Sequence, residues 1–238
     1  MAGRRKEKKY TIEMDGINMH IVQKSMRSIR FTVYPPDGRV RIAAPLHLKR
    51  ADIQEYIEKR LSWIHKQKKR LESATFIPEP EYNAGETHYL QGKKYRLSFA
   101  DVNRAAVIGS RIVIPESMEG QKDRIQGTLD GLYRSRLKDF MDDRIPFWEK
   151  KLSVKVQARG VRKMKTLWGS CNVRTHRIWL NLELARMSDD CVEAILVHEM
   201  VHLKERLHNQ RFYSFMDRFM PDWKEREKEL KEQGIRYF

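Results

Sequence analysis

The sequence predicts an α+β fold in two parts, a basic hairpin-rich first half followed by a helical second half. Three patterns carry that expectation. Short alternating segments flank Pro35-Pro36-Asp37-Gly38, Gln91-Gly92 and Gly109-Ser110, as strands flank turns. Apolar residues recur at helical spacing through 49–72 and again from Lys122 to Lys151. A third apolar run, Val192 to Val197, leads straight into two histidines four residues apart. No linker is rich in Gly and Ser, so the two halves are expected to pack together, with the division near residue 120 at Glu119-Gly120. Residues 1–120 form a β-rich basic part with one helix, and residues 121–238 form the helical part.

In the first part, Ile29-Arg30-Phe31-Thr32-Val33 alternates, the Pro35–Gly38 turn follows, and Val40–Ala44 alternates until Pro45 stops it. Residues 49–72 read as one helix, with Ile53, Ile57, Leu61, Ile64 and Leu71 on one side and a basic outer face. Two further strand pairs follow, the second ending at Pro115. The echo of strand, turn, strand and proline suggests recurrent hairpins. In the second part, Ile125, Leu129, Leu132, Leu137, Phe140 and Met141 face inward, and a kink or break is expected before Pro146. Val154–Ala158 is strand-like. Lys163–Asn172 follows, and a turn at Arg174-Thr175-His176 returns the chain through Ile178–Leu182.

The next helix carries the chemistry. Ser188-Asp189-Asp190 is an N-cap cluster, and the apolar run after it sets the motif His198-Glu199-Met200-Val201-His202 on a buried helix. Side chains four apart point the same way, so His198 and His202 can offer two imidazole nitrogens to one metal ion. Glu199 is one step round, near enough to meet a water bound to that ion. Zinc in a hydrolytic site keeps three protein ligands and one open position, where water ionises near neutral pH. His208 follows as a third candidate ligand. On a straight helix, at about 100° per residue, it would miss the shared face. The chain must therefore bend, and Asn209 fits as cap of a next helix from about Gln210 to Met220, with Phe212, Phe215 and Phe219 on one face and Pro221 as its stop.

Composition narrows the setting. A chain of 238 residues buries a real core, and no apolar run approaches the length of a membrane span. The basic start leads into Tyr10–Asp15, which is no signal-peptide core, and two cysteines without a Cys-x-x-Cys knuckle agree with a reducing compartment. A cytoplasmic protein is expected. The net charge is +16, and residues 1–70 hold 18 Lys and Arg against 7 Asp and Glu. Such a field suits a nucleotide or nucleic acid as partner, and it equally suits a surface that keeps the chain soluble.

Trp168-Gly169-Ser170-Cys171-Asn172, Leu180-Asn181-x-x-Leu184, His198-Glu199-x-x-His202-Leu203, His208, Phe212 and Pro221-Asp222-Trp223 together resemble the YgjP-like metallopeptidase family, a relative of the SprT-like and WLM zinc peptidases. Gly38-x-Val40-x-Ile42-x-x-Pro45 and Trp63-Ile64 extend the resemblance into the first half. It implies a zincin-like catalytic domain behind a β-rich N-terminal domain. It also implies zinc held by His198, His202 and His208, with Glu199 as base. One departure is Leu167, where the family usually has a basic residue before the Trp-Gly-Ser-Cys run.

The reading of these residues is a zinc-dependent hydrolase, with a peptide or protein substrate in the lead. Two alternatives stay open: hydrolysis of a nucleotide phosphoanhydride, and a nucleic-acid-binding module with a structural metal. Glu199 separates the last from the others, because a structural site needs no carboxylate beside an open coordination position. Trp168, Gly169, Ser170, Asn172 and Tyr213 are the candidate substrate-binding residues. Gly169 permits close approach of another backbone, so this strand either pairs with an extended peptide or packs as a corner under the metal helix. Tyr213 and Asn172 are candidates for the oxyanion partner. No spacing decides whether Cys171 approaches the metal.

Overall fold

The structure, a computed structural model, describes residues 7–34, 37–72 and 79–234. Arg4, Arg5 and Lys6 of the basic terminus, and Pro35-Pro36 of the first turn, lie outside the described residues. The chain is mixed α+β, with three small sheets and six α-helices among the described residues. No described helix is long and apolar enough to cross a membrane. The contacts separate two compact units, whose described residues lie within 7–72 and 79–234.

The first unit is a four-stranded sheet with two helices. Strands β1 (Lys8–Met14) and β2 (Ile17–Lys24) form an antiparallel hairpin whose two-residue loop is Asp15-Gly16. Both loop residues have positive φ, 53° and 69°, the conformation that matches the twist of paired strands. The sequence reading passes over this hairpin, although Asp-Gly between alternating segments is its signal. Strands β3 (Arg30–Tyr34) and β4 (Arg39–Pro45) form the expected second hairpin, and β4 also runs parallel to β2, giving the order β1-β2-β4-β3. The predicted helix 49–72 is two, α1 (Arg50–Glu58) and α2 (Leu61–Glu72). At the join the hydrogen bonds tighten to a three-residue step, Arg60 N–H to Ile57 O at 2.8 Å. No Gly or Pro marks that join. Met19, Ile21, Val40 and Ile42 from the sheet bury against Ile53, Ile57 and Ile64 from the helices. Each such side chain contributes about 1.5–3 kcal/mol over its exposed state.

The second unit opens with a sheet of the same plan. Strands β5 (Thr87–Leu90), β6 (Lys93–Ala100), β7 (Ala106–Ile108) and β8 (Arg111–Pro115) take the order β5-β6-β8-β7, again two hairpins joined by a central parallel pair. The echo in the sequence is therefore a repeated topology. This sheet belongs with the residues that follow it. Gln91 N–H bonds to Ala185 O at 2.8 Å and Gly92 N–H to Arg186 O at 3.2 Å, tying the β5–β6 loop to a short 3-10 segment, Leu182–Arg186. The sheet thus groups with the residues after it, in the unit whose described residues are 79–234.

Helix α3 (Lys122–Leu152) runs unbroken through Pro146. Pro146 and Asp142, whose carbonyl loses its usual donor, are both exposed, so water can serve that carbonyl while buried Ile145 and Trp148 hold the other side of the helix. The buried side includes Tyr133; Leu132 is only half-buried. Strand β9 (Ala158–Arg162) begins where the sequence reading ends its strand. Residues 154–157 are held out of the sheet: Val156 N–H bonds to the Glu149 carboxylate at 2.7 Å and Gln157 N–H to His176 O at 2.9 Å. Strands β10 (Gly169–Asn172) and β11 (Arg177–Asn181) form the expected hairpin, and β11 pairs in parallel with β9. Helices α4 (Asp189–Val201), α5 (Gln210–Phe219) and α6 (Trp223–Gly234) complete the unit. Helix α4 lies centrally, in contact with β10, β11, α3, α5 and α6.

Candidate active site

Two elements meet at the site, and local chemistry sets both. Ser188 caps α4, its side chain accepting from Cys191 N–H at 3.3 Å. Glu193 then locks the helix in place. Its carboxylate accepts from Trp148 Nε1–H at 3.0 Å and from the Arg226 guanidinium at 3.0 Å, joining α4 to α3 and α6. The facing element is β10, and Asn181 positions it. That side chain is fully buried, and its amide donates to Met164 O at 2.9 Å and Leu167 O at 2.8 Å. Its backbone N–H bonds to Trp168 O at 2.8 Å. The segment leading into Gly169 is thus pinned from below.

The three histidines converge. Helix α4 ends at His202, the chain turns, and Asn209 caps α5 by accepting from Phe212 N–H at 3.0 Å. That turn brings His208 back, and ligand nitrogens of His198, His202 and His208 all lie within 4.8 Å of one another. The ring of Phe212, fully buried, sits 4.8–4.9 Å from each imidazole and forms a common floor. His202 Nδ1 lies 3.1 Å from Glu205 O, so Nδ1–H donates to that carbonyl and Nε2 keeps its lone pair for the centre. His198 Nε2 and His208 Nε2 face each other at 2.9 Å.

Burial acts on two of these imidazoles and on the neighbouring carboxyl. Burial, and then the neighbouring His202 and His208 rings, lower the His198 imidazole to about 3. Burial also lowers His202. Imidazole nitrogens converging on one point are a donor set suited to a metal ion, and three of them with an open side fit the zinc sites of hydrolases. Glu199 is 6% exposed, and burial pushes its carboxyl up to about 8. It packs so closely on β10 that a Cβ at Gly169 would fall 2.7 Å from its Cγ and its Oε1. Gly169 does admit a close approach, and the group that approaches is Glu199.

Around the histidines opens a cleft of about 660 Å³, also lined by Gly169, Ser170 and Asn172. Trp168 is not in its wall. Trp168 is half-buried and borders an adjoining cavity of about 210 Å³ beside Ile195, Met216 and Trp223. Tyr213, 40% exposed, also stands outside the cleft lining; its ring is stacked on Trp223 at 5.7 Å and lies 6.4 Å from that of His208. Cys171 lines the cleft but is not one of the three clustered donors, and burial followed by the Glu199 charge pushes its thiol up to about 11. Sequence reasoning misses four contributors: the Phe212 floor, the Glu205 carbonyl on His202, and Arg174 and Arg206 in the cleft wall. Only Phe212 leaves a trace, in the apolar periodicity of α5.

Residues 27–233 match the family description YgjP-like, metallopeptidase domain. The chain belongs to the YgjP-like family. A search of curated proteins gave no match. Membership supports a hydrolase of the metallopeptidase class, and with it a metal cofactor and a protein or peptide substrate. In this YgjP-like chain the clustered imidazoles are the described group suited to hold such a metal.

Proposed function

We propose that this YgjP-like protein is a zinc-dependent peptidase in which His198, His202 and His208 hold the ion and Glu199 is the general base. The observation that carries this reading is the convergence of three imidazoles beside one buried carboxylate at the wall of an open cleft. A bound zinc ion would supply Lewis acidity and a water ionising near neutral pH. The chain's own groups do the rest. Glu199, held against the Gly169 backbone, accepts a proton from the attacking water and returns it to the departing amine. Its closeness to the imidazole cluster favours this role, because a general base must reach the water whose proton it takes. The Glu205 carbonyl keeps His202 in one tautomer, and the Phe212 ring fixes the plane on which the imidazoles stand.

Phosphoanhydride hydrolysis would use the same groups, so assays on unfolded protein and on nucleoside triphosphates are run in parallel. The metal reading is tested by zinc analysis of wild type and three alanine variants. One zinc per wild-type chain is expected. His198→Ala and His202→Ala abolish binding, and His208→Ala weakens it strongly while the fold persists. Unchanged zinc in the His208 variant would assign the third position to another residue.

A further inference from the structure

The cleft carries two cations that the peptidase chemistry leaves unused. Arg174 stands on the β10–β11 turn, which is fixed by the Asn172 side chain accepting from the backbone N–H groups of Arg174 at 3.0 Å and Thr175 at 3.1 Å. Arg206 comes from the loop between α4 and α5, one residue after the carbonyl that orients His202. Both are exposed and both line the cleft with the three histidines.

Neither guanidinium has an ion-pair or hydrogen-bond partner among the described residues. Some arginines of this unit do find acids: Arg226 pairs with Asp190, Glu193 and Asp222, Arg186 with Glu183, and Arg159 with Asp142. Around the cleft no such acid is available among the described residues. Glu199 is the single acidic residue in the lining, and it is buried. Glu205, next in sequence to Arg206, turns its carboxylate to Leu207 N–H at 3.2 Å. A third guanidinium, that of Arg162, reaches the cleft wall by donating to Ser170 Oγ at 3.3 Å. The cleft is therefore cationic toward whatever enters it. A planar guanidinium matches the two oxygens of a carboxylate, and two of them beside the reacting groups would discriminate by charge.

We propose that Arg174 and Arg206 make this enzyme selective for peptides that carry an acidic side chain close to the scissile bond. The inference rests on the peptidase reading above.

The test uses the zinc-loaded full-length protein and quenched fluorescent peptides that differ only in Glu, Gln or Lys beside the scissile bond. Wild type is expected to cleave them in the order Glu, Gln, Lys, with about tenfold in kcat/KM between the first and last, and the spread should shrink as salt is raised. The double variant Arg174→Glu with Arg206→Glu should reverse the order, while zinc content and thermal unfolding stay as in wild type because both side chains are exposed. The same order in both proteins, or no preference in either, overturns the proposal and leaves the peptidase reading standing. Cleavage of nucleoside triphosphates with none of the peptides cut overturns the peptidase reading, and the proposal falls with it.

Discussion

Replacing Glu199 by Gln in the zinc-free protein is expected to raise stability, and to raise it more as pH increases. The carboxyl is 6% exposed and packed on the Gly169 backbone, and burial moves its pKa from 4.5 to about 8. With the folded-state value raised, the folded chain binds this proton more tightly than the unfolded chain does. The contribution is complete below about pH 4.5 and is lost as pH rises through about 8. At about 1.36 kcal/mol per pH unit, the whole difference is on the order of 5 kcal/mol. Gln keeps the shape and does not ionise, so it escapes the loss. The assay is urea unfolding of chelator-treated wild type and variant from pH 5 to 9. It is followed by tryptophan fluorescence, since Trp148, Trp168, Trp179 and Trp223 all report on the second unit. The two proteins should unfold together near pH 5 and separate by a few kcal/mol by pH 9. Added zinc should narrow the gap, because a neighbouring cation favours the carboxylate. Parallel curves across the whole range would refute the burial argument.

Two further outcomes follow from the structure and a third from the charge of the sequence. Gly169→Ala places a methyl 2.7 Å from the Glu199 carboxylate, so activity should fall at least about tenfold with zinc retained and stability lowered by about 1–3 kcal/mol, read by hydrolysis rate, metal analysis and urea unfolding. Asn181→Ala strips hydrogen-bond partners from Met164 O and Leu167 O, and denaturation should show a loss of about 2–4 kcal/mol. Binding of DNA or RNA through the basic residues 1–70 should weaken steeply with added salt, and neutralising Arg4, Arg5, Lys6, Lys8 and Lys9 should flatten that slope in a salt titration; binding indifferent to both would leave the charge as a solubility device.

What can be read in the sequence is local. The spacing of His198 and His202 is one helical turn, and the Asn209 cap is a contact over three residues, so the turn that returns His208 is legible from neighbouring residues alone. The β3–β4 and β5–β6 hairpins and the turn at residues 174–176 are legible for the same reason. Signals that compete with a local rule mislead. Pro146 argues for a break, but its exposed position on α3 makes the lost bond tolerable while Ile145 and Trp148 hold the buried side. Val154–Gln157 alternates like a strand, yet Glu149 and His176 take its backbone donors. Features made by distant residues leave no sequence trace. The parallel pairings of β2 with β4 and β6 with β8 join separate hairpins. The Gln91 and Gly92 bonds that tie this sheet to Leu182–Arg186 span nearly a hundred residues. The meeting of Arg174 with Arg206 in one cleft depends on how β10 lies against α4.

The most direct test of the central claim is hydrolysis of an unfolded protein substrate by zinc-loaded wild type and zinc-loaded Glu199→Gln, with metal content measured on the same samples. One zinc is expected in each protein and a rate lower by about a hundredfold or more in the variant, because a positioned base has been removed and the ligands have not. Equal hydrolysis by the two proteins would contradict Glu199 as the base. Loss of zinc from the variant would make Glu199 a ligand and require the site to be redrawn.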